Sequence, residues 1–311
     1  MGKHGLMIDR ESLEPAGMRL MGRLFAHASF EQCRYLGAWL GLGLYAVIGK
    51  RRQAAVANVR LAFPHLSHAA AEQYARRAAM NFGMTFAEFM HLPNATKQEV
   101  RDYCECIGTE HIDAALAAGK GALLMSGHMG SWEVMAARMT QEFPISVIVR
   151  PNSNPGVQAV IDAERAAIGM KTISKNDHGK LALTALRQNR ALAILNDQHA
   201  GPGGTLLPVF GQPTRMVTSV GRLAMISGAP ILPIYGIRRR PWLRDGRVVV
   251  KIEPAFCVPN PGKDPAAREE AIRAATLRGI AELEKVITHF PDQWLWLHRR
   301  WRDADGAVFP A

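Results

Sequence analysis

GALLMSGHMGSWE, residues 121 to 133, runs from four consecutive apolar side chains into two small residues, a histidine and, five positions after it, a glutamate. An apolar run that stops abruptly at Ser126 and Gly127 is the pattern of a strand buried on both faces, as in a parallel sheet. His128 then falls just past the carboxyl end of that strand, where open α/β sheets collect their ligands. Ser131 is a residue type that caps helices, so a helix beginning there carries Glu133 in its first turn. Five residues of continuous helix turn through about 500° and leave the two side chains about 140° apart. They meet only if His128 lies in the turn before the helix, and Gly127 and Gly130 permit such a turn.

The same rhythm continues downstream. ISVIV (145–149), ALAIL (191–195), APILPIYGI (229–237) and RVVVKI (247–252) read as further strands, the first three continuously buried. Helical stretches at about 131–141, 155–169, 178–188 and 218–227 separate them. This alternation predicts βαβ units: an α/β fold with a mainly parallel sheet flanked by helices. Upstream, residues 17 to 90 are helical in pattern with no strand signal, and Ser67 is a plausible cap. The expected organisation is a helical N-terminal region over 1–93 followed by a catalytic α/β domain over 94–311. A long amphipathic helix over 264–290 and the stretch PDQWLWLHRRWRD (291–303) close it.

Three buried-strand candidates end in polar residues: His128, Arg150 in RPNSNP, and Asp197 with Gln198 in NDQHAGPGG. Parallel strands put all three ends on one rim. There His128 fits a general base with Glu133 as the carboxylate that orients it, and Arg150 or Arg165 fits a bidentate grip on phosphate or carboxylate. Asp197 and Gln198 complete the polar rim. Each of these residues also has a plain structural reading, as a turn residue, an ion pair or a helix-dipole partner. No G-x-S-x-G elbow supplies a serine nucleophile, and neither HExxH nor a phosphate-binding loop is present. If His128 is a base, the hydroxyl it activates belongs to the substrate.

Composition bounds the partners. The 311 residues carry 38 Lys and Arg against 27 Asp and Glu, a net charge of +11, which favours an anionic partner: a membrane surface, an acidic carrier, a phosphorylated substrate or nucleic acid. Four cysteines without CxxC spacing fit a reducing, cytosol-facing location. The opening MGKHGLMIDRESLEP has charges of both signs and no apolar core, so it is not a secretory signal. The uncharged stretch 35–49, followed by Lys50, Arg51 and Arg52, covers about 22 Å as a helix, short of the ~30 Å hydrocarbon core. It reads either as an interfacial helix or as a buried one. WLWLHRRW (294–301) reads as an interface belt, a stacking surface for bases or core packing.

Taken together, NVRLAFP (58–64), MNFGMTFAEF (80–89), SGHMGSWE (126–133), VRPNSNP (149–155), Arg165, NDQHAGPGGTLLPVFGQP (196–213), LAMISGAPILPIY (223–235) and QWLWLHRRW (293–301) resemble, in order, the late acyltransferases of bacterial lipid A biosynthesis. This is the lauroyl/myristoyl acyltransferase family, a branch of the lysophospholipid/glycerolipid acyltransferase superfamily. The resemblance spans roughly residues 50 to 302. It implies transfer of a fatty acyl chain from an acyl carrier protein or acyl-CoA thioester to a hydroxyl of a lipid A precursor at the cytoplasmic face of the inner membrane. His128 would be the base, Glu133 its partner, Arg165, Asp197 and Gln198 supporting polar residues, and Arg150 a rim residue. Backbone N–H groups near Gly130, or an arginine, would meet the oxyanion, and no metal or organic cofactor is called for. The alternatives are the same chemistry on a lysophospholipid, another glycolipid or an aminolipid, hydrolysis of the thioester, or a basic membrane- or nucleic-acid-binding module. On the acyltransferase reading no nucleic acid is expected.

Overall fold

The computed structural model describes residues 10–174 and 178–301. The sequence before residue 10, which carries most of the opening segment discussed above, lies outside the described residues, as do Arg302 and Asp303 at the end of the closing stretch. Five helices come first: α1 (Arg10–Phe25), α2 (Phe30–Val47), α3 (Gly49–Ala62), α4 (His68–His91) and the short α5 (Lys97–Tyr103). Ser29 and Gln32 form a reciprocal capping box at the start of α2, and the Ser67 hydroxyl accepts from Ala70 N–H at the start of α4.

Strand and helix then alternate: β1 (Cys104–Ile107), α6 (Thr109–Ala117), β2 (Ala122–Ser126), α7 (Trp132–Thr140), β3 (Ile145–Val149), α8 (Pro155–Ala167), β4 (Lys171–Ser174), α9 (His178–Arg187) and β5 (Ala191–Leu195). A hairpin of β6 (Thr205–Val209) and β7 (Gln212–Met216) interrupts the alternation before α10 (Ser219–Ser227), β8 (Ile231–Arg238), β9 (Val248–Ile252) and α11 (Pro265–His289). The main sheet has the order β1-β9-β8-β2-β5-β3-β4. From β8 to β4 all neighbours are parallel, while β9 is antiparallel to β8 and β1 runs parallel to β9. The mainly parallel α/β class is therefore as the sequence reads.

Every residue of β2 and β8 is buried. Leu124, Ile145 and Ile234 pack on one face with α4, α5 and α7. Leu123, Leu192 and Ile194 pack on the other with α9, α10 and α11. A third cluster joins α3 and α4 to α11 and the C-terminal tryptophans. Trp294, Trp296 and Trp301 are almost wholly buried, so WLWLHRRW is core packing and neither an interface belt nor a stacking surface.

Helix α2 settles the reading of 35–49. A Cβ on Gly41 would lie 2.1 Å from the Ala79 carbonyl oxygen, and one on Gly83 would lie 2.1 Å from that of Gly37, so these glycines let α2 and α4 pack backbone to backbone. The opposite side of α2 stays bare, with Leu36, Trp39 and Val47 at 56%, 69% and 83% exposure. The segment is thus buried along one face only. No helix of the described residues is long and apolar enough to cross a membrane.

Candidate active site

Register brings the site together. Ser126 of β2 pairs with Leu195 of β5, and Asn196 N–H donates to the Ser126 carbonyl, extending the ladder by one step. His128 and Asp197 each stand two residues beyond that pair, on strands about 4.8 Å apart. His128 Nδ1 lies 2.6 Å from Asp197 Oδ1, and the His128 backbone N–H donates to Oδ2 at 2.9 Å. Gly127 makes the approach feasible, because a Cβ there would meet Leu283 at 2.9 Å and the Asp197 carboxyl at 3.2 Å.

Asp197 is fully enclosed. Burial alone pushes its carboxyl up, but the charge and hydrogen bonds of His128, with Arg300 beside it, outweigh burial and hold it well below the usual carboxylate range. Arg300 Nη2 is 3.6 Å away, and the Trp294 indole N–H donates to Oδ2 at 2.8 Å. Burial pulls Arg300 itself down to about 10 against the opposing pull of Asp197. An ionised carboxylate only accepts hydrogen bonds, so Nδ1 of His128 carries a hydrogen, and in the neutral form of the ring Nε2 presents a lone pair. The Gln198 side-chain amide sits 3.3 Å from that Nε2, and the imidazole side chain is 18% exposed, enough to be reached.

The turn between β2 and α7 is clamped from three sides. Gly130 has φ +52° and a Cβ there would sit 2.0 Å from the Gly236 carbonyl oxygen, so only glycine fits. Helix α4 holds the Gly130 carbonyl through Asn81 Nδ2 at 3.0 Å and Thr85 Oγ1 at 2.7 Å. Ser131 stands at the N-cap position, as expected, but its hydroxyl makes no capping bond: it donates to Glu88 Oε2 at 2.6 Å. Glu88 is in turn paired with Arg238, both side chains having no exposure. The backbone N–H groups of Gly130 and Ser131 donate to the carbonyls of Gln293 and Gly236, at 3.0 and 2.8 Å. Those two donors are committed to the fold.

The carboxylate that meets His128 is therefore Asp197 and not Glu133. Glu133, in the first turn of α7, accepts from Arg165 Nη2 at 2.6 Å and from the Trp132 indole at 3.2 Å. Its Cα lies on a helix that starts four residues after His128, and the side chain is carried toward α8. Arg165 Nε is buried without a partner among the described residues. The pair borders an apolar slot of about 40 Å³ lined by Leu124, Met135, Met139, Met170 and Ile234. Arg150 directly follows β3, is exposed, and lines a cleft of about 110 Å³ with Gln198 and His199.

Sequence reasoning passed over Glu88 and Arg238, and singled out Trp294 and Arg300 only within WLWLHRRW, not as neighbours of Asp197. Glu88 left a signal as an acid in an otherwise apolar and small stretch of helix, MNFGMTFAEF.

The sequence profile of the family described as bacterial lipid A biosynthesis acyltransferase matches residues 16–303. The chain belongs to that family. Among curated proteins, the lipid A biosynthesis acyltransferase of Haemophilus influenzae is 26% identical over 266 residues, covering 84% of this chain and 78% of the relative. The lipid A biosynthesis lauroyltransferase of Escherichia coli K12 is 27% identical over 273 residues, 86% of this chain and 85% of the relative. A phosphatidylinositol mannoside acyltransferase of Mycobacterium tuberculosis is 27% identical over 163 residues, half of each chain. The protein is an acyltransferase.

Proposed function

We propose that this acyltransferase moves a fatty acyl chain from a carrier thioester, on acyl carrier protein or coenzyme A, to a hydroxyl of a lipid A precursor. The observation that carries the reading is the His128–Asp197 pair: an enclosed, ionised carboxylate on Nδ1 and a reachable lone pair on Nε2. The acceptor hydroxyl takes the place that the Gln198 amide holds against Nε2, and His128 removes its proton as the oxygen attacks the thioester carbonyl carbon. Asp197 stabilises the imidazolium so formed. The tetrahedral oxyanion is met by a donor of Arg165, whose Nε has no other partner, while Glu133 keeps that guanidinium in place. Collapse breaks the carbon–sulfur bond, and the imidazolium proton passes to the leaving thiolate. One ester forms, one thioester is lost, and His128 returns to its neutral form.

The donor's acyl chain is assigned to the slot beside Glu133 and Arg165. Three of its walls are methionines, unbranched side chains that shift to admit a chain where the unliganded cavity is only about 40 Å³. Arg150, at the mouth of the neighbouring cleft, suits a phosphate of donor or acceptor. The bare face of α2, followed by Lys50, Arg51 and Arg52, suits the cytoplasmic face of the inner membrane, with residues 1–93 as the membrane-facing part and 94–311 as the catalytic domain. Similarity to phosphatidylinositol mannoside acyltransferases over half the chain makes a phosphoglycolipid the second acceptor to try.

Mass spectrometry after incubation with an acyl-carrier thioester and a tetra-acylated lipid A precursor tests the reading. A gain of one acyl chain is expected, falling by on the order of 10²–10⁴-fold in His128→Ala. Full transfer by that variant would falsify the assignment of the base. Release of free fatty acid at the same rate with and without acceptor would make the protein a hydrolase instead.

A further inference from the structure

Two apolar compartments meet near Trp132. One is the methionine-lined slot, which Trp132 itself lines. The other is an open groove of about 320 Å³, with Leu44 of α2 and Ile48 just after that helix at its lip and Phe82, Leu295 and Leu297 along its wall. The wall adjoins the turn between β2 and α7 directly. Leu295 N–H donates to the His128 carbonyl at 3.1 Å; the Phe82 ring lies nearly parallel to Trp132 at 6.3 Å, and Trp132 stands edge-on to the His128 ring at 5.1 Å. The lip is continuous with the bare face of α2: Leu44 and Ile48 are 42% and 43% exposed and flank Val47. Arg51 sits at the groove with its guanidinium on the Leu297 carbonyl, and exposed Lys50 and Arg52 adjoin it.

Direct attack of a lipid hydroxyl on an acyl thioester requires both hydrocarbon chains near one base at the same time. Two chains then need two separate compartments that meet at that base, and these two meet near Trp132. We infer that the open groove holds a hydrocarbon chain of the acceptor lipid, drawn sideways from the surface on which α2 lies, with the basic side chains at its lip facing the acceptor's phosphate. This assignment rests on the acyl-transfer reading for the identity of the occupant. A chain already resident in a bilayer enters from an exposed apolar lip, whereas the small slot suits a chain handed in by a carrier.

Leu44→Trp and Ile48→Trp fill the groove from half-exposed positions, where a larger side chain leaves the packed α2–α4 seam alone. The KM for a lipid acceptor is expected to rise about ten-fold, the loss of two or so buried methylenes, with the KM for the thioester unchanged. A rise in the thioester KM alone, or no change in either, overturns the assignment. A second readout needs no turnover: a single-chain alkyl phosphate with a terminal diazirine, photolysed with the full-length protein. Label is expected on peptides carrying 44–51 and 295–298 and is expected to fall in Leu44→Trp. Label confined to peptides around Met135, Met139 and Met170 overturns the groove. An inactive wild type with a labelled groove would sink acyl transfer and keep the groove; an active one with the groove unlabelled would do the reverse.

Discussion

Asp197 accepts four hydrogen bonds or ion pairs in a space closed to water: Nδ1 and the backbone N–H of His128, the Trp294 indole and the Arg300 guanidinium. Replacing it with Asn removes the charge that stabilises an imidazolium, and kcat is expected to fall by on the order of 10²–10⁴-fold. The same change leaves Arg300 buried without its anion, which costs about 3–5 kcal/mol in urea unfolding. Adding Arg300→Met should return much of that stability and none of the rate. If it returned the rate, Asp197 would be a purely structural residue. Glu133→Gln, which disturbs Arg165 and leaves the imidazole contact intact, should lower kcat less than Asp197→Asn; the opposite order would restore Glu133 as the partner of His128. The acid side of stability follows from the direction of the Asp197 shift. A carboxyl held below its unfolded value contributes stability that is complete above the ordinary carboxylate range and drains away as pH falls through the folded value. The urea midpoint of the native protein should therefore drop more steeply below about pH 4 than that of Asp197→Asn.

At the scale of elements, α4 carries more than its share. It supplies Asn81, Thr85 and Glu88 to the turn between β2 and α7 and its small residues to α2. Glu88→Gln leaves Arg238 charged and uncompensated in the core and releases the Ser131 hydroxyl, so a loss of about 3–5 kcal/mol is expected in chemical denaturation. Much of the element plan was legible. β2, β3 and β5 declared themselves as near-continuous apolar runs, although β3 is buried only at Ile145 and Ser146, and α7 to α10 fell within a residue or two of the periodic stretches between them. β1 and β4 did not, because each is only four residues long and partly exposed, so neither offers a buried run to read. The β6–β7 hairpin hid in a loop rich in glycine and proline, where Pro208 and Pro213 argue against a strand until the pairing partner is known. The partner of His128 was misread for a related reason. Spacing along the chain favours a residue five positions away, whereas sheet register favours one 69 positions away, and only the strand order says which strand stands beside β2.

Over the whole molecule, charge and apolar surface act on the same side of the functional reading. On the proposed reading, a net +11 draws the protein to anionic lipid, and the bare face of α2 would hold it there by burial. Binding to vesicles containing an acidic phospholipid should weaken as salt rises from 0.05 to 0.5 M, since screening shortens the reach of surface charge to a few ångströms. Trp39→Ser with Val47→Ser should lower the affinity at every salt concentration, because that contribution is not electrostatic. Sedimentation with vesicles distinguishes the two, and binding that ignores the double substitution would remove α2 from the contact. Because His128 and Asp197 hang from adjoining strands at matching positions, the spacing of the proposed reacting pair is inherited from the pitch of the sheet rather than from any loop. Apart from Glu133, Arg165 and the walls of the slot, the α7–β3–α8–β4–α9 stretch between those strands can then drift or lengthen, and on the proposed reading the protein can change what it acylates while His128 and Asp197 stay in phase.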